Sequence, residues 1–180
     1  MEGRSLLYCK WAIQIVLNLI EGQKRPSELQ RAIEGIRERV LYDRLSKLLK
    51  GGLLGKWTNN GYPKESYYYL KNPEEFRVLA NWLSSVELSV EGLVKLFSCK
   101  WTLRLMENLS EFKSPSELKR TLTGISDKVL QERLKKLEQM NLIHREVLPS
   151  KPPRVVYSLN ERGRGVLPVL LKMETFLLKD

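Results

Sequence analysis

A chain of 180 residues, 42% hydrophobic and 29% charged, is long enough for one medium domain or two small ones and is too apolar to be wholly disordered. Its 31 Lys and Arg against 21 Asp and Glu give a net charge of +10 and a pI near 9.6, which favours polyanionic partners, nucleic acid ahead of an anionic membrane surface. Two Cys make no disulfide framework and point to a reducing cytoplasm, while one His excludes a His-built zinc cluster and an ordinary Ser–His–Asp triad.

The first apolar stretch, Leu6–Glu21, is interrupted by Lys10, Gln14 and Asn18 and is followed by no small-residue cleavage site. It is too short and too polar to span a bilayer, so it predicts a largely buried helix and a soluble chain. Glu21–Pro26 reads as a polar loop. Pro26 or Ser27 opens a short helix, with Ser27 and Gln30 at capping-box spacing, that ends near Ile33; Gly35 is its left-handed stop. A third helix runs from about Arg37 to Lys50 on the stripe Ile36, Val40, Leu41, Leu45, Leu48 and Leu49. Leu53–Thr58 and Ser66–Leu70 flank the turn Asn59–Pro63 and read as a hairpin. Asn72-Pro73-Glu74-Glu75 opens another helix, with Asn as cap and Glu returning the bond.

The order then repeats. Cys9-Lys10-Trp11 returns as Cys99-Lys100-Trp101, and Pro26-Ser27-Glu28-Leu29 as Pro115-Ser116-Glu117-Leu118. From Pro26 to Leu70, 17 of 45 positions are identical to Pro115–Leu159 without a gap. The chain is two copies of one unit, residues 1–88 and 89–180, the second with its turn at Leu148–Pro153 and its returning strand at Val155–Leu159. Helix, short helix, Gly turn, helix, hairpin, helix is the order of a winged helix-turn-helix. Two in tandem predict a mainly α fold with small β-hairpin wings, forming a pseudo-dimer.

The second unit resembles an HxlR-type winged-helix regulator, a family related to the MarR group. The resemblance rests on Lys100-Trp101-Thr102, Ser116-Glu117-Leu118, Gly124-Ile125-Ser126, Val129-Leu130, Arg133-Leu134, Pro152–Leu159, Gly163 and Leu167–Leu170. It spans about Cys99 to Leu178; the first unit matches less well, from Cys9 to Leu70. The resemblance implies binding to operator DNA, with the third helix in the major groove and the wing near the minor groove. Cys9 and Cys99 stand where the family usually has Gly, so the thiol sensing of some members is not inherited with the fold.

Helical geometry sets Arg39, Tyr42, Asp43 and Ser46 opposite the inward Leu residues of the first unit, with Lys47 and Lys50 nearby. In the second unit those positions are Lys128, Gln131, Glu132, Lys135, Lys136 and Gln139. Both faces offer groups that read base edges, and they differ while the inward Leu residues match. The candidate DNA-binding residues are Arg37, Arg39, Tyr42, Ser46, Lys47 and wing Lys64, then Ser126, Lys128, Gln131, Lys135 and wing Lys151 and Arg154. Ser126 is a good helix cap and Arg37 a poor one, and Glu65 stands where the second wing has Arg154, so the second unit is expected to anchor the complex.

Trp11, Trp101, Cys9 and Cys99 read as core, His144 as a surface residue, and Tyr68 as the inward member of Tyr67-Tyr68-Tyr69. There is no phosphate-binding glycine loop and no metal spacing, so no cofactor, metal, catalytic residue or obligatory small-molecule ligand is expected. The leading reading is a cytoplasmic, sequence-specific regulator of double-stranded DNA, a repressor reading an imperfect palindrome, not an enzyme, with further homodimerisation open. The alternative is a winged-helix protein-interaction scaffold; single-stranded nucleic-acid binding through the wing tyrosines is a third reading.

Overall fold

The computed structural model describes residues 4–178; residues 1–3 and 179–180, the outer ends of the two expected units, lie outside them. Each unit builds a three-helix core and a hairpin. In the first, α1 (Lys10–Asn18), α2 (Pro26–Ala32) and α3 (Glu38–Lys50) precede β2 (Leu54–Thr58), β3 (Ser66–Leu70) and α4 (Pro73–Ser85). In the second, α6 (Lys100–Glu107), α7 (Pro115–Thr121) and α8 (Asp127–Gln139) precede β4 (Ile143–Leu148), β5 (Arg154–Leu159) and α9 (Glu161–Thr175). The additional elements are β1 (Arg4–Ser5), α5 (Val90–Phe97) and β6 (Leu177–Leu178). The fold is mainly helical with two winged helix-turn-helix units in tandem, as the periodicity predicts.

The repeat is reproduced in small detail. Gly35 and Gly124 both adopt positive φ, +75° and +91°, at the turn before α3 and α8, and Cη2 of Trp11 and of Trp101 lies 3.9 Å from where a Cβ would stand on each. The tryptophans are half-buried against the core, with the Lys10 ammonium 4.3 Å from the Trp11 ring and the Lys100 ammonium 4.8 Å from the Trp101 ring. Leu41, Leu45 and Leu48 are buried, as are Leu130, Leu134 and Leu137. Each hairpin gains a third strand one residue long: Tyr68 exchanges both backbone hydrogen bonds with Lys24, and Tyr157 with Lys113, all at 2.9 Å. Both wings carry a cis proline, Pro63 and Pro152.

Several local expectations are corrected. Leu6–Glu21 is not one helix: Leu6–Tyr8 form a 3-10 turn, Cys9 is extended, and α1 starts at Lys10. Leu6 and Leu7 are both fully buried, and the Leu6 N–H donates to the Phe176 carbonyl, which holds the segment off the axis of α1. The capping box is not at Ser27: Arg25 occupies the cap position of α2, and its N–H donates to the Glu28 carboxylate at 2.6 Å. Asn72 precedes α4 but makes no side-chain cap bond. The helix α5 has no counterpart among the elements predicted from the sequence; Ser89 caps it by accepting the Gly92 N–H at 3.1 Å, and Leu93, Leu96 and Phe97 are buried.

The units pack on each other through α4 against α9, α5 against α1, and the N-terminal segment against α9. β1 pairs antiparallel with β6, Arg4 opposite Leu178 and Ser5 opposite Leu177, so the start of the first unit is sewn to the end of the second. The Ser5 hydroxyl donates to the Met173 carbonyl at 2.9 Å and the Tyr8 hydroxyl to Glu174 at 3.4 Å. Lys172 pairs with Glu75 across the α4–α9 contact. Among the described residues no helix is long and apolar enough to cross a membrane, and no group of His, Cys, Asp or Glu is placed to hold a metal.

Candidate nucleic-acid interface

The outward faces of α3 and α8 carry the predicted groups. Arg37, Arg39, Tyr42 and Ser46 are exposed on the first, Ser126, Lys128, Gln131 and Lys135 on the second. Lys47 is different: its side chain is only 16% exposed and its ammonium lies 3.4 Å from Asp43, so it packs along the helix flank. The wing residues Lys64 and Lys151 are exposed. Ser126 accepts the Val129 N–H at 3.3 Å, the expected cap, whereas Arg37 at the same position of α3 makes no cap bond.

Arg154 stands where the wing's turn enters the returning strand, opposite Leu148. It opens β5 and pairs with Glu117 of α7 at 2.8 Å, with the Ser114 hydroxyl 3.5 Å away. Its side chain is still 52% exposed, so one edge remains open to solvent. The first unit holds the same three positions with the charges exchanged: Arg25 stands for Ser114 and Glu65 for Arg154, and Arg25 pairs with both Glu65 and Glu28. Glu65 is therefore not a lone carboxylate turned toward phosphates; Arg25 neutralises it and the Tyr67 hydroxyl donates to it at 2.9 Å. Sequence comparison within the chain shows each substitution but not their pairing, because the partners lie 40 residues apart.

The Glu117 carboxylate accepts the Ser114 hydroxyl at 2.5 Å, the Ser114 N–H at 2.7 Å and the Arg154 guanidinium. Chiefly these Ser114 bonds, then Arg154, pull its pKa from the usual 4.5 down to about 2. A depressed carboxylate pKa adds stability above its unfolded value, and that stability is lost as pH falls through the folded one. Glu117→Gln is expected to melt lower than the parent at neutral pH, the gap closing between pH 4.5 and about 2. Thermal melts across that range check it, and a gap independent of pH would count against the assignment. Hydrogen bonding from Tyr67 and then Arg25 lowers the Glu65 pKa in the same sense.

The wing of the first unit is also aromatic. Trp57 stacks on Tyr67 with centroids 4.6 Å apart, and its indole N–H donates to Gln23 at 2.6 Å. Tyr68 is buried and Tyr69 exposed, as strand alternation predicts. His144 is exposed. Cys9 is buried; Cys99 is half-buried rather than fully buried, standing between α5 and α6 where α5 ends short of it.

The model of HxlR-like helix-turn-helix proteins matches residues 6–85 and again 96–179. The chain belongs to this family. One HxlR-like stretch of 85 residues is 39% identical to the uncharacterized HTH-type transcriptional regulator sll1512 of Synechocystis sp., covering 47% of this chain and 63% of that protein. Another of 72 residues is 40% identical to the HTH-type transcriptional regulator YodB of Bacillus subtilis, covering 40% of this chain and 62% of YodB. The matches thus span less than two thirds of these relatives. Among solved structures, the reduced form of YodB from B. subtilis aligns with TM-score 0.43 at 35% identity, over 47% of this chain and 83% of YodB. A MarR-family regulator from Porphyromonas gingivalis W83 aligns with TM-score 0.44 at 37% identity, over 50% of this chain and 89% of its own.

Proposed function

We propose that the chain is a sequence-specific double-stranded DNA-binding transcription regulator, a repressor in which α3 and α8 enter successive major grooves of one duplex. The observation that carries this reading is the pair of helices itself. Each follows a glycine turn and precedes a hairpin, each buries the same three leucines, and each turns a different set of Arg, Lys, Tyr, Gln and Ser outward. Different outward faces on one scaffold suit two unequal half-sites, an imperfect palindrome. Repression needs only occupancy of the site. Family membership and the named regulators it resembles support the same reading. Units 1–88 and 89–180 each supply one half of the interface.

Arg39, Tyr42 and Ser46 would read one half-site and Lys128, Gln131 and Lys135 the other, with Arg37 and Ser126 at the helix starts and Lys47 along the flank. Lys64, Lys151 and the open edge of Arg154 would meet phosphates. Arg154→Ala is expected to weaken duplex binding more than Lys64→Ala, by about 1 kcal/mol for a lost charge-assisted contact. Duplexes selected from a random pool should share a two-part motif, and log affinity for them should fall linearly with log salt by roughly 0.9 per phosphate contacted. A flat salt response, or no enriched motif, would favour a protein-interaction scaffold.

A further inference from the structure

The C-terminal ends of α3 and α8 are each held by the opposite unit. On α8, the helix ends at Met140, Asn141 turns into the left-handed region at φ +53°, and the Leu142 N–H closes back on the Leu137 carbonyl at 3.0 Å. That geometry leaves the Met140 carbonyl pointing off the helix end. It accepts the indole N–H of Trp82 at 2.9 Å, and Trp82 belongs to α4 of the first unit, where it is 3% exposed.

The matching position on α3 is Gly51. Its φ is −72°, so nothing in its backbone calls for glycine. What calls for it is the Phe176 ring, which a Cβ on Gly51 would overlap. Phe176 ends α9 of the second unit, its N–H bonded to the Lys172 carbonyl and its own carbonyl accepting the Leu6 N–H at 2.9 Å. The same end of each helix is therefore fixed to the other unit by different means: an indole hydrogen bond on α8 and an aromatic ring laid on glycine on α3.

Building on the duplex-binding reading above, we infer that Trp82 and Phe176 are positioning residues that fix the distance between α3 and α8, and so select the half-site spacing the chain accepts. A helix that inserts its N-terminal part in a groove is steered by where its far end is held. Spacing tolerance is set by that restraint rather than by residues touching bases.

The test uses the whole chain with Cys9 and Cys99 replaced by Ser and spin labels placed at the matching exposed positions Ser46→Cys and Lys135→Cys. Trp82→Phe keeps an aromatic ring and removes the donor; Gly51→Ala displaces the Phe176 ring and leaves α9 untouched. Either change is expected to broaden the label-to-label distance distribution while far-ultraviolet dichroism stays native. With random-pool selection on the unlabelled Trp82→Phe and Gly51→Ala chains, in which Ser46 and Lys135 are intact, the half-site motifs should persist while spacings neighbouring the parent's become accepted. Affinity for the best-spaced duplex should fall roughly threefold to tenfold, the range of one lost hydrogen bond. Unchanged distance distributions in both variants overturn the inference, as do broadened distances with an unchanged spacing preference. If the parent selects no duplex at all, the duplex-binding reading falls and takes the spacing claim with it.

Discussion

Replacing Phe76 by alanine is expected to destabilise the protein by about 3–5 kcal/mol, the range for truncating a fully buried phenylalanine. The side chain has no exposed surface and sits on α4, which packs against α1 of its own unit and α9 of the other. The lost ring therefore opens a cavity in the core cluster to which both units contribute. Since domains of this size are stable by about 5–15 kcal/mol in total, the variant should lose a large part of its margin. Urea unfolding followed by tryptophan fluorescence measures it. A loss below about 1 kcal/mol would mean that the surroundings collapse onto the site.

Two glycines on α9 should respond to alanine with opposite signs. In a helix interior, alanine is ordinarily favoured over glycine by about 1 kcal/mol. At Gly163 a Cβ would run into the backbone carbonyl of Leu142, which cannot retreat because it accepts the Asn160 N–H at 3.2 Å. Overlap with backbone outweighs propensity, and Gly163→Ala should destabilise by about 1–3 kcal/mol net, as overpacking does. At Gly165 the nearest atom to a Cβ is Cγ1 of Val78 at 3.4 Å, the tip of a side chain that can yield. There propensity wins, and Gly165→Ala should raise the melting temperature. Equal shifts of one sign in both variants would refute the steric account.

The elements legible in the sequence are those whose cause is local. The leucine stripe of α3 and α8, the glycines at their entrance, and the alternation through Tyr67-Tyr68-Tyr69 each depend on residues a few positions apart, and each is observed where periodicity places it. The repeat then carries the reading from one unit to the other. Illegible features depend on contacts far along the chain. Leu6–Glu21 breaks at Cys9 because the segment is drawn onto α9, 168 residues away at the Ser5–Met173 bond. The burial of one face of α5 is likewise supplied by the first unit. Arg154 carries the candidate interface's clearest revision: its type suggests a phosphate contact, while its partner Glu117 is visible only once the hairpin is folded back on α7. The aligned pairs Arg25/Ser114 and Glu65/Arg154 carry a signal of that pairing, visible when the two positions are taken together: a charge gained at one and exchanged at the other within the same repeat.

The α4–α5 connection has a consequence for mass action. Two separate protomers reach the state that spans two half-sites only above their dissociation constant, so dilution empties that state and occupancy rises steeply with concentration. Here Val86–Ser89 join the units in one backbone, and β1 paired with β6 closes the other side. The encounter between units is intramolecular, at an effective concentration set by a short linker rather than by expression level. On the proposed duplex-binding reading, the two halves of a two-part site are filled by units that arrive together, so dilution does not separate one half from the other.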